Sequence, residues 1–550
     1  MEKTHSLNIE IAQINPKVGA VQRNADKVRQ VRDQCASDTD LIVFPEMVLA
    51  GHPLEDLVLK PSFLEKCEKI LEQLVAESKG NRAAMVVTSP CREHDKIYNS
   101  LHVIHDGHII ATQHKHQLPN YGVFDEARVF SKGPLPHPVF YLGHKIGFMI
   151  CEDMWSPEVT DHLTDKGAEM LIVCNGSPYD CRKTESRFTL ARQRVEKSGV
   201  PLFYVNLFGG QDELVFDGGS FILNEGGEKI YQAPYFVEHF GRTAWEKTKG
   251  GNWLCDAQDL LPYPEEPEAL YTACVLGVRD YLHKNGHMDV LIGLSGGIDS
   301  ALSTAIAVDA LGSDHVHCVM MPSPFTSQES LDAAREISDL LDVNYREIPI
   351  TPLMKTFEET LPQIDGLAHE NMQSRMRGNI LMSLSNKEGH LVLSTGNKSE
   401  YAVGYATLYG DMCGAFSVLK DMFKTQVYEI SKWRNHNIPR GGLGPKGTVI
   451  PDLILNRAPS AELRADQKDQ DSLPPYEVLD DILRYIVEKD MSLKDIVDKG
   501  FDENLVMDIW YKVDSQEYKR RQGPPGVKLT TRAFGRERRY PMTNGFRPSG

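Results

Sequence analysis

One glycine-rich segment of the chain combines the residue types that bind a phosphate group. It reads GLSGGIDS and comprises Gly293, Leu294, Ser295, Gly296, Gly297, Ile298, Asp299 and Ser300. An apolar run precedes the segment and a helical pattern follows it, so its N–H groups and hydroxyls would lie at the positive end of a helix. Its paired glycines permit close backbone approach to an anion, and its carboxylate could hold a divalent metal ion. The spacing matches neither Walker A nor G-x-G-x-x-G, and the alternative is a strand–helix turn without a ligand.

A second set of reactive side chains lies in the first half of the chain. Glu46 follows the apolar run LIVFP, Lys115 lies in HKHQLPNYGVFDEARVF, and Cys151 follows GFMI. An ordinary thiol is only a few per cent ionised at neutral pH, so a nucleophilic cysteine needs a neighbouring cation and a base. Lys115 could supply the cation and, with the N–H that follows Cys151, an oxyanion site, while Glu46 could take the proton. A lone cysteine at a strand end is otherwise a buried structural thiol.

The elements around these residues predict a layered α/β domain in the first half. Short apolar runs alternate with amphipathic stretches whose apolar residues recur every three or four positions. The predicted strands are Leu7–Ile14, Leu41–Phe44, Met85–Thr88, Leu101–Ile104, Ile109–Thr112, Ile146–Ile150, Leu171–Cys174 and Leu202–Asn206, and the predicted helices include Asn24–Ala36 and Pro61–Glu77. Hairpin-like pairs among them indicate a mixed sheet.

The segment LLPYPEEPEA marks the best domain boundary, because three prolines and three glutamates without periodicity are typical of an exposed linker. We therefore predict domains at 1–258 and 269–550, joined by a linker at 259–268. After it we predict helices Ala269–Lys284, Ser300–Leu311 and Ser327–Leu341 and strands Val290–Leu294, Val316–Met321 and Tyr345–Ile348. This alternation favours a parallel, doubly wound sheet.

The full S-G-G-x-D-S pattern in this setting resembles the pyrophosphate loop of N-type ATP pyrophosphatases, which implies a Rossmann-like fold that cleaves ATP between the α and β phosphates. The segments ENMQSRMRGNILMSLSN and LVLSTGNKSEYAVGYATLYGD resemble NAD synthetases. That resemblance implies ATP contacts from the loop and from Thr395, Lys424 and Ser460. Ser460 stands where single-domain members usually carry threonine, and the hydroxyl is kept. It further implies Mg²⁺ on Asp299 and Glu400, and deamido-NAD on Asn379, Glu400 and Lys519.

Most of residues 1–255, and above all the phrases around Glu46, Lys115 and Cys151, resemble the nitrilase superfamily. The resemblance implies an αββα sandwich in which these three residues are catalytic. Relatives that use glutamine contact it at the positions of Tyr121, Glu126, Ser177 and Lys183. A homo-oligomer is implied by the same resemblance.

The overall charge of the chain argues against a nucleic-acid partner. The formal net charge is −17, and an acidic surface repels phosphate backbones. The residues from Tyr518 onwards nevertheless contain nine Lys or Arg against one acidic residue, which suits a segment beside anionic substrates. The chain opens without a signal-peptide pattern, contains no membrane-spanning apolar run and has scattered cysteines, so we expect a cytoplasmic protein without membrane contact.

Together the phosphate-binding segment and the cysteine, lysine and glutamate set predict an enzyme of the glutamine-dependent NAD synthetase type. It would use glutamine, ATP and deamido-NAD as substrates and Mg²⁺ as cofactor. The main alternative is a nitrilase-type amidohydrolase whose second domain binds a nucleotide for regulation. A nucleotide sensor with degenerate sites, and an ATP-pyrophosphatase amidotransferase for another product, are less favoured. The sensor is less favoured because both motifs are complete. The other amidotransferases are less favoured because they combine the ATP-pyrophosphatase loop with glutaminase domains of other types.

Overall fold

The computed structural model describes residues 6–255, 258, 260–465 and 467–546. The chain divides into two compact units. The first comprises the described residues up to Gln211 together with Val215–Pro264, and the second comprises Asp212–Leu214 and the described residues from Glu265 onwards. The predicted linker lies partly outside the described residues. Residues 266–268, the last part of the predicted linker, are helical: a helix with Pro267 in its first turn begins at Glu266.

The first unit contains fifteen strands and four α-helices among its described residues. The strands are β1 Ser6–Gln13, β2 Leu41–Val43, β3 Ala84–Glu93, β4 Lys96–His105, β5 His108–His114, β6 Val139–Tyr141, β7 His144–Ile150, β8 Met170–Asn175, β9 Leu202–Asn206, β10 Phe208–Gln211, β11 Leu214–Asp217, β12 Phe221–Leu223, β13 Lys229–Gln232, β14 His239–Lys247 and β15 Trp253–Cys255. The helices are α1 Val21–Gln34, α2 Pro61–Glu77, α3 Pro157–Asp165 and α4 Lys183–Ser198.

Two mixed sheets pack face to face in this unit. One has the order β15-β14-β1-β2-β3-β4-β5 and the other β13-β12-β9-β8-β7-β6. A buried apolar cluster containing Ile9, Phe148 and Trp245 draws on strands of both sheets. On the outer faces, α1 and α2 pack on the first sheet and α3 and α4 on the second. The layers are thus α, β, β and α, which confirms the predicted sandwich.

The second unit alternates strands and helices and ends in helices. Its strands are β16 Val290–Gly293, β17 Val316–Met320, β18 Asn344–Glu347, β19 Leu391–Ser394 and β20 Phe416–Ser417. Its α-helices are α5 Glu266–Asn285, α6 Ile298–Leu311, α7 Gln328–Leu341, α8 Thr351–Thr360, α9 Gly366–Glu388, α10 Lys398–Val403, α11 Lys424–His436, α12 Asp452–Asn456, α13 Tyr476–Leu483, α14 Leu493–Val497, α15 Glu503–Ser515 and α16 Glu517–Arg520.

The sheet of the second unit has the order β18-β17-β16-β19-β20, and each neighbouring pair is parallel. This confirms the doubly wound parallel sheet. The strand order reverses between β16 and β19, and in such sheets ligands bind in the crevice at the carboxyl ends of the strands on either side of the reversal. The loop after β16 is the glycine-rich segment, and the residue after β19 is Thr395.

The basic C-terminal segment RERR, residues 536–539, would be expected to lie exposed, but one of its arginines is buried. In the cluster of Arg536, Arg538 and Arg539, Arg538 is buried rather than exposed. Its guanidinium lies 3.2 Å from Glu517 and 3.4 Å from Asp514, so those carboxylates neutralise it inside the fold. None of the helices in the described parts of the chain combines the length and apolarity needed to cross a bilayer.

Candidate active sites

In the first unit, strand ends from both sheets bring the predicted catalytic residues to one place. Glu46 lies three residues after β2, Lys115 directly follows β5, and Cys151 directly follows β7. All three are buried, with Glu46 fully so. Residues that directly follow a strand lie beyond the end of that strand. The two packed sheets therefore place a carboxylate, an ammonium and a thiol at one end of the sandwich.

Lys115 and Glu46 form the centre of a buried hydrogen-bond network. The ammonium of Lys115 donates to Glu46 Oε1 at 2.7 Å and to Glu126 Oε1 at 2.9 Å. Asn99 Nδ2 donates to Glu46 Oε1 at 2.7 Å, and the N–H of Gly176 donates to Glu46 Oε2 at 2.9 Å. Both oxygens of Glu46 are thereby fixed in orientation.

The charges in this network determine which groups are ionised. Burial alone would raise the pKa of Glu46, but the Lys115 ammonium beside it holds that pKa below its ordinary value. Burial likewise opposes the charge of Lys115, yet Glu126 and Glu46 raise the pKa of Lys115 well above its usual range. Burial raises the pKa of Glu126 to about 7, because the shared ammonium offsets only part of its desolvation. At neutral pH Glu46 is therefore the ionised base of the group.

Cys151 begins a short 3₁₀ turn immediately after β7 and has a φ of +45°. This left-handed conformation is unfavourable for a residue with a side chain, and strain of this kind clusters at functional sites. Burial raises the pKa of the Cys151 thiol well above its ordinary value, and the Glu46 charge adds to the rise while Lys115 opposes it. The resting group is a neutral thiol next to an ionised carboxylate, which suits proton transfer at the moment of attack.

The residues expected to contact glutamine occupy two groups. Tyr121 is more than half exposed, and its hydroxyl donates to both carboxylate oxygens of Glu152 at 3.0 Å. Lys183 begins α4, and its ammonium lies over the rings of Phe124 and Trp155, 5.6 and 5.9 Å from their centroids. The charge of Lys183 also acts on Glu152, so an acidic and a basic side chain lie close to the nucleophile.

Ser177 belongs to the second, buried group. Its hydroxyl accepts a hydrogen bond from Arg187 Nε at 3.1 Å, and its N–H donates to Asn206 Oδ1 at 3.0 Å. Arg187 Nη1 donates to both carboxylate oxygens of Asp217, at 2.8 and 2.9 Å. Ser177 is therefore held rigidly by buried polar partners. Glu126, the fourth residue expected to contact glutamine, contacts Lys115 as described above.

In the second unit, a cavity of about 880 Å³ lies at the carboxyl ends of β16 and β19. Nearly every residue predicted to bind a substrate in this unit lines it. These residues are Gly293, Leu294, Ser295, Gly296, Gly297, Ile298, Asp299, Ser300, Thr395, Glu400, Lys424, Ser460 and Lys519. Asn379 does not line the cavity. It is exposed on α9 and follows Gly378, which does, because successive helical residues face about 100° apart.

The glycine-rich loop has the geometry of an anion-binding turn. Gly296 has a φ of +79°, and a Cβ atom there would lie 2.3 Å from the Ser330 carbonyl oxygen, so only glycine fits without displacement. The Ser300 hydroxyl accepts from the N–H of Ser295 at 3.2 Å and donates to the Gly297 carbonyl at 2.9 Å. Helix α6 begins at Ile298, which directs its first N–H groups towards the cavity end of the sheet.

Lys424 lies between the two carboxylates that were predicted to hold a metal ion. Its ammonium forms an ion pair with Asp299 and lies 3.2 Å from Glu400 Oε1. Asn397 Nδ2 donates to Asp299 Oδ1 at 2.9 Å and thereby fixes that carboxylate. Burial raises the pKa of Glu400 to about 8, with Lys424 opposing the rise and Asp299 adding to it. Two carboxylates this close to each other suit Mg²⁺, which is commonly bound by one or two carboxylates together with substrate phosphates.

Ser460 and Lys519 contact backbone groups at the cavity wall. Ser460 Oγ donates to the Gln467 carbonyl at 2.5 Å. The Lys519 ammonium donates to the carbonyls of Gly404 and Ala406 at 2.7 and 2.8 Å. Burial lowers the pKa of Lys519, while Asp411 raises it in part. Lys519 thus fixes the turn after α10 while its charge stays at the cavity.

Comparison with known proteins extends over the whole chain. Residues 9–240 match the family model described as carbon-nitrogen hydrolase, and residues 270–523 match the model described as NAD synthase. A glutamine-dependent NAD(+) synthetase of Acinetobacter baylyi is 44% identical over 550 residues, covering 99% of each chain. The chain belongs to the family of glutamine-dependent NAD(+) synthetases. A member from Rhodobacter capsulatus is also 44% identical over 99% of each chain.

Solved structures of glutamine-dependent NAD(+) synthetases share the architecture. The protein of Acinetobacter baumannii, in complex with adenosine diphosphate, is 40% identical, with a TM-score of 0.78 over 99% of this chain and 100% of that one. The protein of Cytophaga hutchinsonii is 19% identical, with a TM-score of 0.80 over 98% of each chain, which is a likeness of fold.

Several residues of the synthetase sites were missed in the sequence. Asp153 accepts from the N–H groups of His116, Gln117 and Ile150 at 2.9, 2.7 and 3.1 Å, so it ties the turn of the nucleophile to the segment after Lys115. Asp153 lies two residues after Cys151 in ICEDMW, and this proximity was the available signal. Asn99 lies inside β4 and Asn397 caps the start of α10, and no sequence pattern distinguished these two polar residues.

We predict that Gly296→Ala weakens ATP binding by about tenfold or more. The added methyl group must displace the loop from Ser330, whereas Gly286→Ala, at a φ of +80°, meets nothing within 4 Å. Both changes carry a backbone strain of roughly 1–2 kcal/mol, so Gly286→Ala controls for it. Calorimetric titration with ATP and Mg²⁺, beside urea unfolding, measures both effects. Equal ATP affinity in both variants would contradict the close fit of the loop.

For Glu46→Gln we predict opposite effects on thiol reactivity and on turnover. Removing the negative charge lowers the pKa of the Cys151 thiol, so iodoacetamide should modify Cys151 faster at pH 8. Loss of the base should lower glutamine hydrolysis by about 10²–10⁴-fold. Peptide mass spectrometry follows alkylation, and glutamate release follows turnover. Slower alkylation of the variant would show that Glu46 does not oppose the thiolate.

Proposed function

We propose that the chain is a glutamine-hydrolysing NAD synthase in which each unit carries out one half of the reaction. The first unit would hydrolyse glutamine and release ammonia, and the second would adenylate deamido-NAD with ATP and let ammonia displace AMP. The products would be NAD, AMP, pyrophosphate and glutamate. The observation that carries the proposal is that one chain contains both a buried cysteine–lysine–glutamate network and a nucleotide-type loop beside a carboxylate pair.

The first half-reaction would follow from the buried network. Glu46 accepts the thiol proton of Cys151 as the sulfur attacks the amide carbon of glutamine. The oxyanion that forms is stabilised by the ammonium of Lys115 and the N–H of Glu152. The proton then passes from Glu46 to the leaving nitrogen, ammonia departs, and a thioester remains. Glu46 next activates a water molecule that hydrolyses the thioester to glutamate, and the thiol is regenerated.

Recognition of glutamine would use charges of both signs near the nucleophile. The α-carboxylate of the substrate suits Lys183, and its α-ammonium suits Glu152, which Tyr121 holds in place. Ser177 would shape the buried end of the glutamine site, where Arg187 holds its hydroxyl and Asn206 holds its N–H. Glu126 positions Lys115. Its carboxyl group can gain or lose a proton near neutral pH, because burial raises its pKa to about 7.

The second half-reaction would take place in the cavity of the parallel sheet. The loop from Gly293 to Ser300 cradles the phosphates of ATP with N–H groups and hydroxyls, and Thr395 and Ser460 contribute further hydroxyls. The positive charge of Lys424 stabilises the phosphates during cleavage between α and β. Lys519 and Glu400 lie at the same cavity and suit the charged dinucleotide. Asn379, which lies outside the cavity, remains a prediction for deamido-NAD.

Asp299 and Glu400 would hold Mg²⁺ in this unit. Bound there, the ion would neutralise phosphate charge and orient the pyrophosphate leaving group. The carboxylates lie near enough to share the single ammonium of Lys424, which supports their holding one cation between them. Asn397 keeps Asp299 in the required orientation.

The wider setting follows from composition and from the family. We propose a cytoplasmic homo-oligomer without a nucleic-acid or membrane partner, with domains at 1–258 and 269–550. The scattered cysteines suit a reducing compartment. The oligomer is tested by sedimentation velocity at micromolar concentration, where a species at the mass of a single chain would overturn it.

One pair of variants tests the division of labour. Cys151→Ala should abolish NAD formation from glutamine and keep the reaction driven by ammonium chloride. Asp299→Asn should abolish both while glutamine hydrolysis continues. Cys35→Ala, at the end of α1, is the matched control and should keep all activities.

The measurements are NAD, AMP and glutamate formation with deamido-NAD, ATP and Mg²⁺. Loss of ammonia-driven synthesis in Cys151→Ala would overturn the role of the first unit. Intact NAD formation in Asp299→Asn would overturn the role of Asp299. If no NAD forms in the unchanged protein and amide hydrolysis is the sole activity, the amidohydrolase with a regulatory nucleotide domain becomes the better explanation.

A further inference from the structure

A cluster of histidines lies at the amino ends of three strands of the parallel sheet, the ends opposite to those that line the nucleotide cavity. Val290 of β16 pairs with Val316 of β17 and with Leu391 of β19. The residues one position earlier, Asp289, His315 and His390, therefore lie in one row across the strand starts. His317 lies two residues after His315, so its side chain projects from the same face of β17.

These side chains are close enough to act together. One donor atom each from Asp289, His317 and His390 lies within 4.8 Å of the others. The rings of His317 and His390 are stacked, with centroids 4.0 Å apart and planes at 17°. A tetrahedral ion with bonds of about 2.0–2.1 Å needs donors about 3.3 Å apart and lies in the plane of each ring that binds it. The half-buried rings of His317 and His390 would therefore rotate out of their stack to bind one ion together.

His315 and Glu388 lie beside the three residues of the cluster and hold them in position. His315 Nδ1 lies 3.1 Å from Asp289 Oδ1, and His317 Nε2 lies 3.5 Å from the same oxygen. Glu388 Oε2 lies 3.6 Å from His390 Nδ1, and Glu388 is itself fixed by a two-pronged ion pair with Arg346 at 2.8 and 2.6 Å. Carboxylates and polar groups behind the ligands are typical of metal-binding histidines.

A polar atom of the cluster lacks a partner. His390 Nδ1 is buried and makes no hydrogen bond within the described part of the chain. Buried polar nitrogens are nearly always bonded, so an atom of this kind calls for an explanation. A cation bound by Nε2 of His390 would fix the ring proton on Nδ1, where Glu388 Oε2, 3.6 Å away, could accept it after a small shift.

We propose that Asp289, His317 and His390 form a Zn²⁺ site that is separate from the nucleotide cavity. Two imidazoles and one carboxylate favour zinc-type ions, whereas magnesium prefers oxygen ligands alone. Three protein ligands leave the fourth position of a tetrahedron to water or to His315. The ion would join the starts of β16, β17 and β19 and so stabilise the sheet that carries the phosphate-binding loop.

Zinc titration of the full-length protein, stripped with chelator and free of substrates, tests the site. We expect one strong site per chain by competition with a chromophoric indicator, weakened more than about 100-fold in His317→Ala and in His390→Ala. Loss of an outer partner alone typically costs about 10–100-fold, so loss of a ligand should exceed that. His436→Ala, an exposed histidine at the end of α11, is the matched control and should bind as the unchanged protein does.

Two further readouts separate the site from cysteine binding and from misfolding. Co²⁺ in place of zinc should give tetrahedral visible bands without a thiolate charge-transfer band, and the bands should disappear in both variants. Ammonia-driven NAD formation without zinc should be unchanged in the variants, which shows that they fold. Equal zinc affinity in all variants, a thiolate band, or no strong site at all would overturn the proposal.

Discussion

The ammonium of Lys115 lies fully buried between Glu46 and Glu126, and the active end of the first unit is organised around it. Burying an isolated ion costs several kcal/mol, and removing one partner of a buried pair typically costs about 3–5 kcal/mol. The ammonium is therefore stable only beside its two carboxyl partners, which requires the ends of β2 and β5 and the turn at Glu126 to meet. Cys151 arrives from the other sheet, so the face-to-face packing of the sandwich determines how far the thiol lies from its base.

Lys424 repeats this arrangement in the second unit with a different outcome. Its ammonium is again buried between two carboxylates, Asp299 and Glu400. In the first unit the lysine is enclosed by protein, whereas here the acidic pair faces a cavity. The parallel sheet accounts for the placement, because the strand order reverses between β16 and β19 and leaves a crevice where Asp299 and Thr395 lie.

Local patterns predicted much of this molecule. Helix α2 occupies the predicted residues Pro61–Glu77, since its proline and apolar spacing specify both start and face. The glycine-rich loop was evident because the chemistry of phosphate binding restricts residue types strongly. Strand β14 was missed, although Gly241, Thr243 and Trp245 alternate as buried residues with exposed ones. Its partner is β1, more than two hundred residues away, and such pairing leaves little local trace. Asp153 and the burial of Arg538 likewise depend on partners that only the fold supplies.

The ion pairs of Lys424 have a consequence for the order in which ligands arrive. Because burial raises the pKa of Glu400 to about 8, this carboxyl is largely protonated at neutral pH, and the paired Asp299 and Lys424 leave the site with little net charge to attract a polyphosphate. A divalent ion held by the same carboxylates would change the local sum to +1 and release the lysine towards the phosphates. Metal and nucleotide would then assist each other's binding, and thermodynamic reciprocity makes the gain equal in both directions. Lys424 would in this way hold the two carboxyl groups in place until the proposed ion binds.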